Sequence, residues 1–208
     1  MSSTAISRAK PERDEKREHI LKEAYAAFLS DGYAATSMSS ISARVGGSKA
    51  TLYNYFSSKD ELFAAVIEEK CRDVEAMFLG LDPETTDFQN LLVQFGERLL
   101  RRMLQDDSIA TFRLITAESA RFPELGRLFY RSGKERGRQI LGDFFAQAQA
   151  AGKLRPGNPR DMAVLFVELC KGELVLLKVW NVHTKPTENE IKATIATGVT
   201  VFLAAYGA

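Results

Sequence analysis

Cysteine is scarce in this chain: there are two in 208 residues, Cys71 and Cys170, far apart among apolar, helix-forming neighbours. A disulfide framework is not expected, and a reducing, intracellular compartment fits. Both thiols read as small buried apolar groups. Long apolar runs are missing as well. The opening MSSTAISRAKPERDEKREH has no apolar centre, so no secretory leader is expected and the location expected is cytoplasmic. The nearest approach to a membrane span, Ala163 to Trp180, is interrupted by Glu168, Lys171, Glu173 and Lys178 and reads as a buried or interface helix. Excess charge of either sign is absent, since Lys and Arg number 28 against 27 Asp and Glu. Any site for a polyanion must therefore be a local patch. The two histidines, His19 and His183, stand alone without a second ligand at metal spacing, so neither a metal nor a cofactor is expected. There is no G-x-S-x-G, P-loop or Rossmann glycine pattern and no marked carboxylate pair, hence no case for an enzyme.

Strand-like alternation, hairpin dipeptides and internal repeats are also lacking. What remains is helical periodicity throughout, and the fold class is all-α. The pattern predicts helices over about Asp14 to Ser30, Met38 to Val45, Lys49 to Phe56 and Ser58 to Leu79. Beyond Leu81-Asp82-Pro83 it predicts Phe88 to Gln105, Ser108 to Ala120, Pro123 to Ala151, Pro159 to Trp180 and Thr187 to Tyr206. Asp31-Gly32 ends the first, and Gly46-Gly47 separates the second from the third. Ser58 and Glu61, three apart, form a capping box. The long helix they open is expected to bury Leu62, Phe63, Val66, Ile67, Val74 and Phe78. A boundary is placed near Ser57: a flexible basic arm over 1–13, a helix-turn-helix over 14–57, and a helical domain over 58–208.

Lys49 to Phe56 is too short to be stable alone in water. Leu52 and Phe56, four apart, share one face and anchor it, while Ala50 and Asn54 point away with Thr51 and Tyr53 on their flanks. Helix, glycine turn and helix make a helix-turn-helix. The outward face of hydroxyls, amide and ring suits a DNA major groove. Ser37 and Ser48 sit at helix N-termini, where free N–H groups bind phosphates. Arg8, Lys10 and Arg13 could reach a neighbouring minor groove, the alternative being a solvated tail.

TSMSSISARVGGSKATLYNYFSSKDEL resembles the DNA-binding segment of the TetR/AcrR-type transcriptional regulators. Thr36, Ile41, Gly46, Ser48, Thr51, Leu52, Tyr53, Tyr55, Phe56, Ser58, Lys59 and Leu62 match that pattern at its fixed spacings. ESARFPELGRLFY and AGKLRPGNPRDMA are similar to the C-terminal half of an AefR-like subset. Five positions depart: Ser37 stands for Thr, Ser42 for Ala, Val45 for Ala, Gly47 for Val and Ala50 for Gly. Val45 is expected to fill the space that Gly47 leaves. The departures bear on which bases are read.

The resemblance implies that Lys49, Thr51, Tyr53 and Asn54 meet bases or phosphates and that Thr36, Ser48, Tyr55 and Lys59 hold phosphates. It implies double-stranded operator DNA as partner and a homodimer joined by two helices from each subunit. The residues point the same way. Ile191, Ile195, Val199 and Phe202 form one stripe with Gly198 beside it, and Val167 and Leu174 lie on the apolar helix before. A small-molecule effector is implied too, in a pocket among the middle helices. Its expected apolar lining is Phe95, Leu99, Phe112, Ile115, Phe129 and Phe145, with Phe166, Cys170 and Trp180. Arg113, Glu118 or Glu173 would anchor it. Ordinary core packing is the alternative for each of these. Ligand is expected to shift the population away from the DNA-binding geometry, with repression as the family default. The rival reading is a helical ligand-binding or scaffold protein with inactive DNA heads.

Overall fold

The structure is a computed structural model. It describes residues 3–72, 76–78 and 80–208, with their side chains from Arg13 onward. Arg8, Lys10 and Val74 therefore lie outside the described side chains. Among the described residues there are helices and no strand; a single isolated bridge joins Leu154 and Gly207. No helix there is long and apolar enough to cross a membrane.

The chain forms two compact units. The first comprises Met1–Lys70 together with Leu114–Phe129, and the second Cys71–Arg113 with Tyr130–Ala208. Helix α1 runs Ser3–Ala35 with a break at Gly32. Gly32 adopts φ 78°, ψ 165°, a region only glycine enters freely. The expected stop is thus a corner, after which one more turn is made. Helices α2 (Met38–Val45) and α3 (Lys49–Tyr53) follow, then α4 (Lys59–Cys71). Leu62, Phe63, Val66 and Ile67 of α4 are buried as expected. The Phe63 ring meets Phe28 and Tyr33 edge-on, each at 5.0 Å. These contacts place α4 in the first unit, whose N-terminal stretch runs to Lys70.

The second unit holds α5 (Phe88–Met103) and the start of α6 (Asp106–Glu118), whose last turns, with α7 (Pro123–Phe129), belong to the first unit. A π-helical stretch, Tyr130–Glu135, leads into α8 (Arg136–Ala150). Helices α9 (Pro159–Lys171), α10 (Leu174–Val179) and α11 (Glu188–Tyr206) complete it. The long helix expected over 159–180 breaks at Gly172, where φ is 49° and a Cβ would stand 2.8 Å from Thr194 Cγ2. Rings of Phe145, Phe166 and Phe202 pack at 5.0–5.7 Å in its core, with Phe95 6.0 Å from Phe166. These four side chains are each 0–1% exposed.

Candidate nucleic-acid interface

The turn between α2 and α3 is built residue by residue. Ser37 is extended (φ −122°, ψ 157°) and its hydroxyl accepts from the Ser40 N–H at 3.0 Å, while Ser40 Oγ accepts from the Ser37 N–H at 3.0 Å. This reciprocal cap starts α2. Gly46 ends it in the left-handed region, φ 69° and ψ 29°, where a side chain is strained. The Gly47 N–H then points at Ser42 O (3.4 Å), and Ser42 Oγ donates back to Gly47 O at 3.0 Å. Ser42 is buried and so is satisfied. It ties the turn with a bond that the alanine expected there cannot make. Val45 is buried on the core side, but Gly47 is exposed and a Cβ on it would meet only Thr51 Cβ at 4.0 Å. Val45 therefore does not fill a space left by Gly47, and the expected compensation is not found.

Ser48 caps α3: its Oγ accepts from the Thr51 N–H at 3.1 Å and lies 2.9 Å from Thr51 Oγ1. The helix proper is five residues long, and Tyr55 and Phe56 continue as a turn with both N–H groups directed at Leu52 O, 3.1 Å away. Leu52 and Phe56 are 2% and 3% exposed, so the two anchors read from sequence do hold the segment. Ser48, Lys49, Ala50, Tyr53 and Asn54 face solvent, Tyr53 at 51% exposure, with Thr51 and Tyr55 half-buried beside them. One short surface thus presents an ammonium, two hydroxyls, a carboxamide and two phenol rings. Arg13 and Arg17 of α1 add cations to its edge, their guanidiniums 5.9 Å from the Tyr55 ring centre and 5.7 Å from that of Phe56. Arg17 was not singled out from sequence; its placement four residues after Arg13 on one helix face is the signal that marks it.

Two expected phosphate ligands are elsewhere. Thr36 is 2% exposed, with its hydroxyl on Gly32 O at 2.7 Å. Lys59 directs its ammonium to Tyr33 O at 2.8 Å and Thr36 O at 3.0 Å, and it lies 4.3 Å from the Tyr33 ring centre. It caps the carbonyl end of α1, where a cation is favoured. The capping box at Ser58 is offset. Ser58 Oγ accepts from the Glu61 N–H at 3.1 Å, but the Glu61 carboxylate accepts from the N–H and hydroxyl of Ser57 at 2.7 and 2.6 Å. Those bonds lower the Glu61 pKa.

The residues expected to line an effector pocket are distributed over both units. Phe95, Leu99, Phe145, Phe166 and Cys170 are packed in the core of the second unit. Burial raises the Cys170 thiol to about 12. Phe112 lies under the Lys134 ammonium, 5.6 Å from ring centre to Nζ. Arg113 is engaged with Val179 O, Lys178 O and Asn181 Oδ1 at 2.7–2.8 Å. Ile115, Glu118 and Phe129 belong to the first unit, while Glu173 and Trp180 are exposed, Trp180 at 65%. The second unit instead has a cleft of ≈ 570 Å³ floored by Leu104 and Ile191 and rimmed by Arg101, Asp106, Lys178, Lys185 and Glu188, with none of the expected residues in it.

The stripe assigned to a dimer contact is likewise internal. Leu174, Ile191, Ile195, Val199 and Phe202 are at most 7% exposed within one chain, and Val167 packs against the same core. Gly198 lets α9 and α11 approach each other, since a Cβ there would stand 2.9 Å from Leu169 O. Exposed apolar groups of the second unit include Tyr130, Val164, Leu165, Leu176, Trp180, Val182 and Val201. Periodicity located the apolar face of α11 but could not say whether it met its own chain or another. No group of three or more His, Cys, Asp or Glu is placed to hold a metal among the described residues.

Comparison with known proteins gives consistent matches. A family model described as bacterial regulatory proteins, tetR family, matches residues 20–66, and one described as AefR-like transcriptional repressor, C-terminal domain, matches 90–208. The HTH-type transcriptional activator FasR of Mycolicibacterium smegmatis is 46% identical over 69 residues, 33% of this chain and 30% of that protein, so the match spans under a third of that relative. Two solved structures match almost end to end. A TetR-family transcriptional regulator from Mesorhizobium loti MAFF303099 is 28% identical, covers 94% of this chain and 98% of its own, and superposes with a TM-score of 0.83. The flavonoid-responsive regulator FrrA is 36% identical over 93% of this chain and 98% of its own, with a TM-score of 0.79.

Proposed function

The chain belongs to the TetR family of bacterial regulatory proteins, and from that premise we propose that it is a cytoplasmic, ligand-responsive repressor that binds a near-palindromic operator as a homodimer. One observation carries the DNA reading: on the outward face of α3, Lys49, Ala50, Tyr53 and Asn54 stay exposed, with Thr51 half-buried beside them, while Leu52 and Phe56 are buried beneath the segment. Ser37 and Ser48 flank it with hydroxyls at helix N-termini, and Tyr55 with Arg13 lies at its rim. Lys49, Thr51, Tyr53 and Asn54 read bases or phosphates; Ser37, Ser48 and Tyr55 hold phosphates.

Two such faces must meet successive major grooves about 34 Å apart, which calls for a two-fold assembly. The exposed Val164, Leu165 and Val201 on α9 and α11 supply apolar surface for it. Repression is supported by the name of the C-terminal family model, although FasR is named an activator. A small apolar or amphipathic effector is supported by the likeness to a regulator named flavonoid-responsive. With the aromatic core closed, such a ligand binds by opening packed helices, and it shifts affinity only by preferring the open arrangement.

Selection of bound DNA from a random pool tests the reading. A two-fold symmetric sequence with half-sites one helical turn apart is the expected result. A pool that enriches nothing would remove the regulator reading.

A further inference from the structure

The segment from Ser48 to Phe56 is held unevenly. Its buried side chains, Leu52 and Phe56, lie in its middle and at its far end. Ser48, Lys49 and Ala50 at its start are exposed, so no side chain there is buried in the core. The start of α3 is therefore placed by the turn that leads into it, residues 46–47. Gly46 has to be glycine, because its φ is 69°. Gly47 does not: its φ lies outside the left-handed region, and a Cβ on it would meet only Thr51 Cβ at 4.0 Å. Glycine at 47 leaves the turn with a backbone freedom that its conformation does not call for.

The backbone restrains that freedom weakly. The Gly46 N–H points at Ala43 O and the Gly47 N–H at Ser42 O, both at 3.4 Å, long for an amide hydrogen bond. The Ser42 hydroxyl donates to Gly47 O at 3.0 Å. A serine inside a helix often turns its hydroxyl back to the carbonyl four residues earlier. That of Ser42 reaches forward five residues instead, out of α2 and across the turn. Ser42 is 4% exposed, so little water competes for the hydroxyl. Its bond holds the carbonyl directly before Ser48, the N-cap of α3.

We propose that Ser42 is a specificity-determining positioning residue: by holding Gly47 O, its hydroxyl fixes the start of α3 and so narrows the half-site that Lys49, Thr51, Tyr53 and Asn54 can fit. The inference rests on the DNA-binding reading above and adds to it a residue that is itself buried. Attraction to phosphates tolerates a loose surface, whereas base edges must be met at fixed positions. Loosening the turn therefore weakens specific binding and spares non-specific binding.

The test uses the full-length protein as wild type, Ser42→Ala, Gly47→Ala and the double variant. Ser42→Ala removes one oxygen and suits a helix, so folding is retained. Amide exchange at Gly47 is measured without DNA, with the amides of Ile20 and Ile67 as the reference for global opening. Kd is measured for the selected operator and for a random duplex of equal length. S42A is expected to speed Gly47 exchange by about fivefold or more relative to Ile20 and Ile67, to raise operator Kd by about three- to tenfold, and to leave the random-duplex Kd within about twofold. Gly47→Ala stiffens the turn without the hydroxyl; alone it is expected to change either quantity by no more than about twofold, and in the S42A background to restore most of both. Unchanged Gly47 exchange in S42A, equal weakening on both duplexes, or a loss that G47A does not restore would overturn the proposal. A wild type that binds no selected DNA would instead strike the regulator reading, and the exchange measurements would still decide whether Ser42 holds the turn.

Discussion

Lys49 and Lys59 stand ten positions apart in one DNA-binding motif and have opposite duties. Lys49 is exposed on α3, whereas Lys59 is committed to the carbonyls of Tyr33 and Thr36. Salt dependence separates them. Each neutralised phosphate contributes about 0.9 to the slope of log K against log salt. Lys49→Ala is expected to lower that slope by about 1, with the thermal midpoint unchanged. Lys59→Met is expected to lower the thermal midpoint and weaken binding, with the slope unchanged; a reduced slope for Lys59→Met would return it to the phosphates. The two glycines of the turn divide in the same way. Gly46→Ala should cost about 1–2 kcal/mol because φ is 69°. Gly47→Ala, with open space around it, should leave stability unchanged or raise it by up to about 1 kcal/mol. Denaturant midpoints of the two variants check this.

At the scale of elements, the helices of the reading head were legible because local signals agree: a cap at Ser37, a left-handed glycine at Gly46, a cap at Ser48 and anchors four apart. The breaks in the later helices were not legible. Pro123 to Ala151 reads as continuous, yet Tyr130–Glu135 is π-helical, and Gly172 interrupts 159–180 through a left-handed φ that spacing alone does not reveal. Thr36 and Lys59 meet backbone carbonyls, a duty the sequence does not reveal, because a hydroxyl and an ammonium look alike there whether they meet phosphate oxygens or carbonyls. The start of α11 offers a clean test of local chemistry. Thr187 and Glu190 form a reciprocal cap, and His183 adds a bond at 3.0 Å. The Thr187 N–H and hydroxyl, then His183, hold the Glu190 carboxyl down at about 2 from an ordinary 4.5. A depressed pKa stabilises the folded form above the unfolded value and ceases to do so as pH falls from about 4.5 toward 2. Carboxyl titration by NMR should give that low midpoint, and Thr187→Ala should raise it toward 4.5.

For the whole molecule, the sequence specified an all-α chain with a reading head and a larger helical part, and that architecture stands. It could not assign apolar faces to inside or outside, because both have the same period. Ile195 and Phe202 are fully buried in one chain, while Val201, the residue before Phe202, is 48% exposed. The assembly prediction therefore moves to the outer face: Val201→Lys combined with Leu165→Glu should convert a dimer to a monomer in sedimentation, leave helicity unchanged, and reduce operator affinity to that for a half-site. A monomeric wild type would refute it.

The five-residue α3, capped by Ser48 and anchored by Leu52 and Phe56, has a consequence for how such chains diverge after gene duplication. Positions 49, 50, 53 and 54 carry no packing debt. They can drift through many side chains while folding free energy stays nearly constant, so a duplicated copy can change this surface before it loses its fold. Innovation in recognition is uncoupled from survival of the scaffold by the placement of two hydrophobic residues.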